Sequence, residues 1–364
     1  MRILCLIDSL NSGGAQRQLC VLACLLRKQG FHVHVMTYFD IDFYGHILDE
    51  NDVDRSVIHW SNRITRIFSV HKAIRKWMPD VVIAFLRTPN LMAEIAGIPA
   101  RSFYLIVSER NNTNRTTWAT YCQWLMHLIA DRVVVNSHSQ GQMLSKRAPF
   151  LKNKLATITN AVDLETYQPS HKPLNNHLKL LVVARFEKQK NSSRFLEAIR
   201  IVREKHPGLK FSVDWFGNRF YRSGVPTKRS RIYLDMKNGI KKNGLNHIIK
   251  LHDPVKNIVP IYQTCSVFCL PSTTEGFANV IGEAMACGKP ILAGDVGDNA
   301  IMVEDNVNGY LFNPYDSKSI AEAIGKFIAL ADIKKSSMGI KSRRRAEAIL
   351  SPEKFIQKYL EILS

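Results

Sequence analysis

The chain has 364 residues and a formal net charge of +19 at pH 7, and 46% of its residues are hydrophobic. This length exceeds the size at which one hydrophobic core usually stops growing, so we expect two globular domains and not a disordered polypeptide. No apolar run approaches the roughly 18 to 20 residues of a membrane-spanning helix. The positive charge calls for an acidic partner: a nucleic acid, an anionic membrane or a phosphorylated substrate.

The start of the chain and its cysteines favour a cytoplasmic protein. Residues 1–7 contain one charged side chain and no small-residue cleavage site, which predicts a buried strand and not a signal peptide. The cysteines form no Cys-x-x-Cys pair and lie mostly in apolar segments, so we expect buried, reduced thiols. The histidines do not cluster with cysteines or carboxylates at zinc spacing, and we expect no metal site.

Strands and helices alternate along the N-terminal half. The apolar pattern predicts strands at 3–8, 31–38, 81–85, 104–108, 132–136 and 155–159, and a helix at 15–29. A repeated strand-helix-strand order predicts a parallel sheet covered on both faces.

A polar segment rich in turn formers, 168–176, separates this half from the next strand. We therefore predict an N-terminal Rossmann-like domain at 1–172 and a C-terminal one at 173–350, with a final helix, 351–364, packing back toward the first. The second half is predicted to have strands at 178–184, 210–215, 248–252, 267–270 and 290–293, helices at 193–204, 278–287 and 317–330, and a basic insertion at 218–242. Such domains bind ligands at the carboxyl ends of their strands, so we expect a shared cleft.

The segment Pro-Ser-Thr-Thr-Glu-Gly-Phe-Ala-Asn-Val-Ile-Gly-Glu-Ala-Met-Ala-Cys-Gly-Lys-Pro, at 271–290, joins a buried strand to a helix. Gly276 permits a tight turn, and a helix that begins near Ala278 would aim its free N–H groups and dipole at a pyrophosphate. Glu275 lies just before this helix and Glu283 about two turns inside it, so both carboxylates can face one ligand. An N-terminal acid and an exposed helix glutamate are the alternative.

This segment resembles the Glu-x7-Glu motif of retaining glycosyltransferases with the GT-B fold, in particular those of family 4. The similarity extends to the Gly-Phe after the first glutamate and to the Ala-Cys-Gly-Lys-Pro after the second. It implies two Rossmann-like domains, with Glu275 at the donor sugar and Glu283 at the nucleotide ribose. The turn and the first helical residues are also expected at the donor: Gly276, Phe277, Ala278 and Asn279.

A second motif, 183–191, follows the first strand of the C-terminal domain. Its two cations, Arg185 and Lys190, can clamp a diphosphate, the arginine through a planar fork and the lysine as a point charge. They resemble the phosphate-binding pair of family 4, although a basic surface loop is the alternative. Asn191 stands where that family often has glycine, which puts only the local turn in doubt.

A glycine loop, Asn-Ser-Gly-Gly-Ala-Gln at 11–16, leads from the first strand into a helix. It is not the dinucleotide fingerprint, and a plain turn is as good an explanation as a phosphate loop. In family 4 a similar pair of glycines approaches the donor diphosphate, so the resemblance implies this role for Gly13 and Gly14.

Two further positions concern the acceptor. The sequence Ser-Glu-Arg-Asn at 108–111 resembles an acceptor-side loop of family members that build bacterial surface or lipid-linked glycans, and a buried ion pair between Glu109 and Arg110 is the alternative. We expect His138 to be a surface residue at a helix cap.

The segment 62–78 predicts an amphipathic helix. Its apolar side chains, expected near one face, are Ile64, Ile67, Phe68, Ile74, Trp77 and Met78, and the cations around them are Arg63, Arg66, Lys72, Arg75 and Lys76. Such a helix could lie on an anionic leaflet, or it could be an ordinary sheet-covering helix with solvated cations.

The resemblance implies transfer with retention from a nucleotide sugar, most simply a UDP-sugar, to a lipid-linked or glycan acceptor of the O-antigen or capsule type. The base is left open, because 215–218 keeps one glycine of a usual Gly-x-Gly and 252–253 departs from the family pattern. Protein cations would replace a metal, no cofactor is expected, and the enzyme would be peripheral on the cytoplasmic face of the inner membrane. The alternatives are an inert GT-B scaffold and a basic nucleic-acid-binding protein, although no nucleic-acid-binding motif is present.

Overall fold

The computed structural model of the protein describes residues 1–110, 117–170, 177–222 and 225–364. These residues form two compact units, Met1–Ala161 with Pro352–Ser364, and Val162–Ser351. The boundary between the units follows residue 161, earlier than the predicted boundary after residue 172. The main-chain N–H of Val162 already donates to the carbonyl of Leu350, and Tyr167 is buried in the second core.

The first unit contains a parallel sheet with helices. Its strands are β1 (Arg2–Leu6), β2 (His32–Thr37), β3 (Asp54–Val57), β4 (Val81–Phe85), β5 (Tyr104–Glu109), β6 (Arg132–Val135) and β7 (Leu155–Thr157). Its helices up to residue 161 are α1 (Gly14–Lys28), α2 (Gly45–Asp49), α3 (Arg63–Trp77), α4 (Arg87–Ala96), α5 (Trp118–Met126) and α6 (His138–Arg147), with 3-10 turns at His127–Ile129 and Pro149–Lys154.

The second unit repeats this plan. Its strands are β8 (Leu178–Val183), β9 (Phe211–Phe216), β10 (Phe220–Arg222), β11 (Val225–Arg229), β12 (Ile249–His252), β13 (Val267–Leu270), β14 (Ile291–Gly294) and β15 (Gly309–Phe312). Its helices are α7 (Ser192–Lys205), α8 (Arg231–Lys242), α9 (Val259–Thr264), α10 (Asn279–Ala286), α11 (Asn299–Met302), α12 (Ser317–Ala329) and α13 (Asp332–Ile349), with a 3-10 turn at Lys188–Lys190. The last helix, α14 (Pro352–Leu363), belongs to the first unit, where Phe355, Ile356 and Tyr359 join the core.

The two large sheets have the Rossmann-like order that the sequence predicts. The first runs β3-β2-β1-β4-β5-β6-β7 and the second runs β12-β9-β8-β13-β14-β15. All neighbouring strands in these two sheets are parallel, and a strand such as β4 is buried along its whole length, as expected beneath helices on both faces. The order of strands reverses between β1 and β4 and between β8 and β13, and open α/β sheets bind ligands beside such reversals.

The basic insertion at 218–242 contains the antiparallel hairpin of β10 and β11, followed by α8. All the cysteines are free thiols, and all of them except Cys122 are buried. None of the helices in the described part of the chain combines the length and the apolarity needed to cross a membrane.

Helix α3 does not have the single apolar face that the sequence predicts. Ile74 is fully buried beside Val70, whereas Ile64 and Phe68 are each 69% exposed. At 3.6 residues per turn, the pair 64 and 68 is centred about 120° around the helix from the pair 70 and 74, so the apolar set separates into a core face and an outer face. The one-face prediction was therefore wrong.

The cation Arg66 also lies elsewhere than predicted. Its guanidinium carbon is 5.0 Å from the ring centroid of Tyr38 and 5.1 Å from that of Trp60. Such contacts between a cation and aromatic faces are attractive. Arg66 therefore packs on these rings and is not one of the cations beside Ile64 and Phe68.

Candidate active site

Two loops of the second unit meet at the reversal point of its sheet. Strands β8 and β13 lie side by side, and the chain leaves both of them at the same edge. The loop after β8 carries Arg185 and Lys190, and the loop after β13 carries Glu275. The sheet topology thus brings the two predicted motifs together although they are far apart in sequence.

Lys190 and Glu275 form an ion pair between these loops. Lys190 Nζ lies 2.5 Å from Glu275 Oε1, and the two side chains are only 14% and 12% exposed. Beside them the main-chain N–H of Thr273 donates to the carbonyl of Gln189 at 2.8 Å. Because this pair is largely shielded from water, its attraction is stronger than that of a surface ion pair.

Asn191 holds the first of these loops in place. Its backbone has φ 59° and ψ 36°, a left-handed conformation that glycine and asparagine tolerate best. Its side-chain nitrogen donates to the carbonyls of Pro271 at 2.9 Å and Pro314 at 2.6 Å. The asparagine therefore keeps the turn expected of glycine and ties the loop to the ends of β13 and β15.

Arg185 lies on the same loop but is directed to solvent. Its side chain is 62% exposed, and one guanidinium nitrogen lies 3.1 Å from Glu187 Oε1. Glu187 is an acidic neighbour that the predicted clamp did not include. Exposed ion pairs contribute about 0 to 1 kcal/mol, so Arg185 can exchange this partner for a phosphate at little cost.

The turn that carries Glu275 is supported by the loop after β14. The N–H of Asp298 donates to the carbonyl of Gly276 at 3.0 Å. Gly297 has φ 58°, and a Cβ at this position would come within 2.2 Å of the Glu275 carbonyl oxygen. Only glycine satisfies both the left-handed backbone and this close approach.

Helix α10 begins directly after this turn. Its N-cap residue, Ala278, has a methyl side chain that cannot cap the first N–H groups. Phe277 and Ala278 are 7% and 4% exposed and belong to the core, whereas Gly276 and Asn279 are partly exposed. Phe277, one of the predicted donor-binding residues, thus packs its side chain into the core. It can contact a ligand only through its main-chain groups.

Glu283 lies in the middle of α10 and is 6% exposed. The hydroxyl of Tyr262, a fully buried residue of α9, donates to its Oε2 at 2.9 Å. Tyr262 therefore orients this carboxylate. The predicted contact with a ribose stays a prediction.

Gly13 and Gly14 lie at the start of α1, beside the reversal point of the first sheet. A Cβ on Gly13 would come within 2.1 Å of Gln16 Oε1, which is the end of a flexible side chain and could move aside. Both glycines belong to the first unit, whereas the other predicted donor-site residues belong to the second. Their role at the diphosphate stays a prediction.

Glu109 and Arg110 do not form the ion pair that was the alternative for them. The Arg110 guanidinium donates to Ser108 Oγ at 2.8 Å, to Asn160 Oδ1 at 2.6 Å and to the Tyr359 hydroxyl at 3.0 Å. Arg110 thus ties the end of β5 to α14. Glu109 instead accepts a hydrogen bond from His127 at 3.0 Å, and Asn111 of the same motif lies outside the described residues.

His138 is the exposed first residue of α6, and the cap is its neighbour Ser137, whose hydroxyl accepts a hydrogen bond from the N–H of Gln140 at 3.2 Å.

In the predicted base region, the His252 ring stacks on Phe216 with 4.4 Å between the centroids.

Sequence reasoning missed several residues at this edge. Gly297 had a weak signal, since glycines at 294 and 297 follow a predicted strand. Tyr262 had none, because its role depends on how α9 packs against α10. Tyr315 was also missed, and its hydroxyl donates to the carbonyl of Thr273 at 3.1 Å.

Curated proteins similar to this chain match part of it. Spore coat protein SA of Bacillus subtilis (strain 168) is 27% identical over 250 residues, which are 64% of this chain and 64% of that protein. A D-inositol 3-phosphate glycosyltransferase of Saccharomonospora viridis is 26% identical over 208 residues, 54% of this chain and 47% of that protein. The chain thus spans between about half and just under two thirds of the length of these relatives.

Solved structures match the whole chain. Anabaena Alr3699/HepE in complex with UDP-glucose has a TM-score of 0.86 at 20% identity, covering 100% of this chain and 99% of that one. A glycosyltransferase from Rickettsia africae has a TM-score of 0.82 at 18% identity, covering 99% and 97%. These similarities confirm the predicted fold, two Rossmann-like domains of the GT-B type.

Two family models divide the chain between them. Residues 12–166 match Glycosyltransferase Family 4, and residues 164–345 match Glycosyl transferases group 1. The second match covers half of the chain and includes Arg185, Lys190, Glu275 and Glu283. The resemblance inferred from the Glu-x7-Glu segment is confirmed, and the chain belongs to the glycosyl transferases group 1 family.

Proposed function

We propose that this protein is a retaining glycosyltransferase that moves a sugar from a UDP-sugar to a lipid-linked or glycan acceptor, in the synthesis of O-antigen, capsule or another surface polysaccharide. The observation that supports it is the contact of Lys190 with Glu275 beside the start of α10. A cation, a carboxylate and helix N–H groups are what a diphosphate and a sugar require of one site.

UDP is the nucleotide we propose, because similar structures contain it. The Anabaena protein is described in complex with UDP-glucose, and S. aureus TarM in complex with UDP. The acceptor class follows from the resemblance of 108–111 to acceptor-side loops of surface-glycan enzymes.

In the proposed reaction the acceptor hydroxyl attacks the anomeric carbon on the face from which the diphosphate leaves. The bond from this carbon to the phosphate oxygen breaks, the new glycosidic bond forms, and the hydroxyl proton passes to the departing phosphate. Lys190, Arg185 and the N–H groups of α10 neutralise the leaving group. Glu275 orients the sugar, and cationic side chains of the protein neutralise the leaving diphosphate in place of a metal ion.

Proton NMR of UDP-glucose turnover tests this proposal without a known acceptor. Slow hydrolysis of the donor should release α-glucose first, since the configuration is retained, and EDTA should not change the rate. We expect Lys190→Ala to lower kcat/KM by about a hundredfold or more. The matched control is Lys188→Ala, an exposed lysine of the same loop, which should stay near the wild-type rate.

Release of β-glucose would contradict retention, and a rate that magnesium restores after chelation would contradict catalysis by protein cations alone. A Lys190→Ala protein with the wild-type rate would remove the proposed site.

We also propose that the protein is peripheral on the cytoplasmic face of the inner membrane. The support is the outer face of α3, where Ile64 and Phe68 are each 69% exposed and Lys72 and Lys76 are exposed as well. Apolar side chains flanked by cations favour an anionic lipid surface.

Co-sedimentation with liposomes tests the membrane proposal. Binding should rise with anionic lipid, fall with salt and weaken in a Phe68→Ser variant or after charge reversal at Lys72 and Lys76. The control is Ile333→Ser, which changes an 80% exposed apolar residue of the second unit. Binding that depends neither on anionic lipid nor on Phe68 would contradict the proposal.

A further inference from the structure

Three side chains of the first unit form a buried series of hydrogen bonds. The imidazole of His127 contacts Glu94 of α4 through Nδ1 at 2.5 Å and Glu109 of β5 through Nε2 at 3.0 Å. The side chains of His127 and Glu94 are 0% exposed, and that of Glu109 is 12% exposed. The series therefore leads from the interior to one accessible carboxylate.

The contacts of the imidazole at the centre of this series favour its protonated form. Each of its ring nitrogens faces a carboxylate oxygen, and both can donate only in the protonated form. Burial favours the neutral ring, but the hydrogen bonds to Glu109 and Glu94 outweigh it and raise the pKa of His127 to about 9. Burial also raises the pKa of Glu94, and the accessible end of the series is the carboxylate of Glu109.

Stability alone does not account for this arrangement. Glu94 Oε2 is buried and accepts no hydrogen bond from any residue that the structure describes. Replacing buried ion pairs by apolar groups of similar volume is often neutral or stabilising, and a partly satisfied network is worse than an apolar core. The fold does not require this network, so a functional role for the Glu109 carboxylate at its open end would explain why the network is present.

Glu109 is placed to meet a ligand. It is the last residue of β5, at the carboxyl edge of the first sheet, and β5 adjoins β4, which borders the reversal point. His127 and Gln123 donate to the same oxygen, Oε1, at 3.0 and 2.5 Å. No residue in the described part of the chain donates to Oε2.

We propose that Glu109 binds a hydroxyl of the acceptor sugar, and that His127 and Glu94 are positioning residues that fix the orientation of its carboxylate. This inference rests on the proposed function. A carboxylate accepts hydrogen bonds from sugar hydroxyls and repels phosphate, so the site takes the neutral carbohydrate part of an acceptor and not its diphosphate.

The test measures acceptor use with UDP-glucose as the donor and octyl monoglycosides of glucose, galactose, mannose and N-acetylglucosamine as acceptors. We expect Glu109→Gln and His127→Gln each to raise the KM for the glycoside about tenfold, while the KM for UDP-glucose and the Kd for UDP stay within about twofold. His34→Gln, which removes a partly buried histidine from β2, is the matched control and should change none of these constants.

The double variant separates a positioning role from a structural one. Because His127 acts through Glu109, Glu109→Gln/His127→Gln should have no higher glycoside KM than Glu109→Gln alone. Variants that unfold at lower temperature but keep the wild-type glycoside KM would overturn the inference.

Glu109→Gln keeps the shape of a partly exposed side chain, so it tests the inference even where His127→Gln does not fold. An unchanged glycoside KM in this variant would overturn the inference, as would wild-type protein that binds UDP but uses none of the four glycosides. Wild-type protein that does not bind UDP would instead contradict the proposed function, and this inference with it.

Discussion

Lys190 Nζ lies 2.5 Å from Glu275 Oε1, although the two residues are 85 positions apart in sequence. The contact joins the cation proposed for the diphosphate to the carboxylate proposed for the sugar. A phosphate that approaches Lys190 therefore competes with Glu275. The same carboxylate that the donor sugar needs should weaken the binding of the product UDP.

We predict that Glu275→Gln binds UDP more tightly than the wild type, by roughly tenfold, while losing transfer activity. The substitution leaves Lys190 with a neutral partner, and the phosphate then supplies the missing charge. Isothermal titration with UDP measures this effect. Glu187→Gln is the control, since it frees Arg185 from a pair whose side chains are 62% and 40% exposed and should change the affinity much less. Equal or weaker UDP binding by Glu275→Gln would contradict the competition.

Arg185 should matter for the geometry of its guanidinium and not only for its charge. We expect Arg185→Ala to weaken UDP binding and Arg185→Lys to fail to restore it, because an ammonium cannot make the paired contacts of the planar fork. The Kd for UDP of the two variants is the measurement. Full recovery in Arg185→Lys would show that charge alone suffices.

Asn191 should support both the stability of the second unit and its phosphate loop. Asn191→Ala leaves the buried carbonyls of Pro271 and Pro314 without this donor and places a Cβ residue in a left-handed conformation, so we expect a loss of about 3 kcal/mol. Asn191→Gly should lose less, since glycine adopts this backbone without strain. Denaturant unfolding measures both, and equal losses would show that the backbone conformation contributes nothing.

Gly297 should be required for the position of Glu275. Gly297→Ala would bring a methyl group against the Glu275 carbonyl, so we expect lower stability and a loss of transfer that exceeds the loss of UDP affinity. Gly208→Ala is the matched control, because a Cβ there meets nothing within 4 Å. A Gly297→Ala protein as active as the Gly208→Ala protein would contradict the supporting role.

His127 should make the stability of the first unit depend on alkaline pH. Its pKa is raised from 6.5 to about 9 in the fold, so protonation favours the folded state. This contribution is complete below pH 6.5 and is lost as the pH rises through about 9. We expect the free energy of unfolding to fall over this range by up to about 3 kcal/mol more in the wild type than in His127→Gln.

Urea titrations at pH values from 6.5 to about 9 measure this difference in the pH dependence of unfolding between the wild type and His127→Gln. His138→Gln, at the exposed start of α6, should keep the wild-type dependence. The same pH dependence in wild type and His127→Gln would show that the buried series does not hold a proton in this range.

The sequence predicted the fold well where strands are long and apolar. Strands such as β4 have no polar interruption, and their alternation with helices identifies two parallel sheets. The edge strand β3, Asp-Arg-Ser-Val, was missed because it is polar and exposed, so it has neither the apolar run nor the alternation of a buried strand. The domain boundary was predicted from the turn formers of 168–176, yet Val162 and Tyr167, which precede that segment, already pack in the second core.

The candidate site could be predicted only in part. Glu275, Lys190 and Arg185 follow strand ends in recognisable motifs, and parallel topology brings such ends to one edge. The partners of these residues depend on packing: Lys190 meets Glu275, Glu283 meets Tyr262, and Glu109 meets His127. The sequence separation of these pairs gives no local pattern, so a folded chain is needed to find them.

The most direct test of the account measures how far UDP-glucose protects the wild-type protein and Lys190→Ala against thermal unfolding. Other nucleotide sugars are tested on the wild-type protein for comparison. At a hundred times its dissociation constant, a bound donor adds about 2.7 kcal/mol to the free energy of unfolding. We predict that UDP-glucose or UDP raises the unfolding temperature of the wild type and does so much less in Lys190→Ala. A wild-type protein that no nucleotide sugar protects, or equal protection of both proteins, would contradict the central claim that the loops of Lys190 and Glu275 hold the donor.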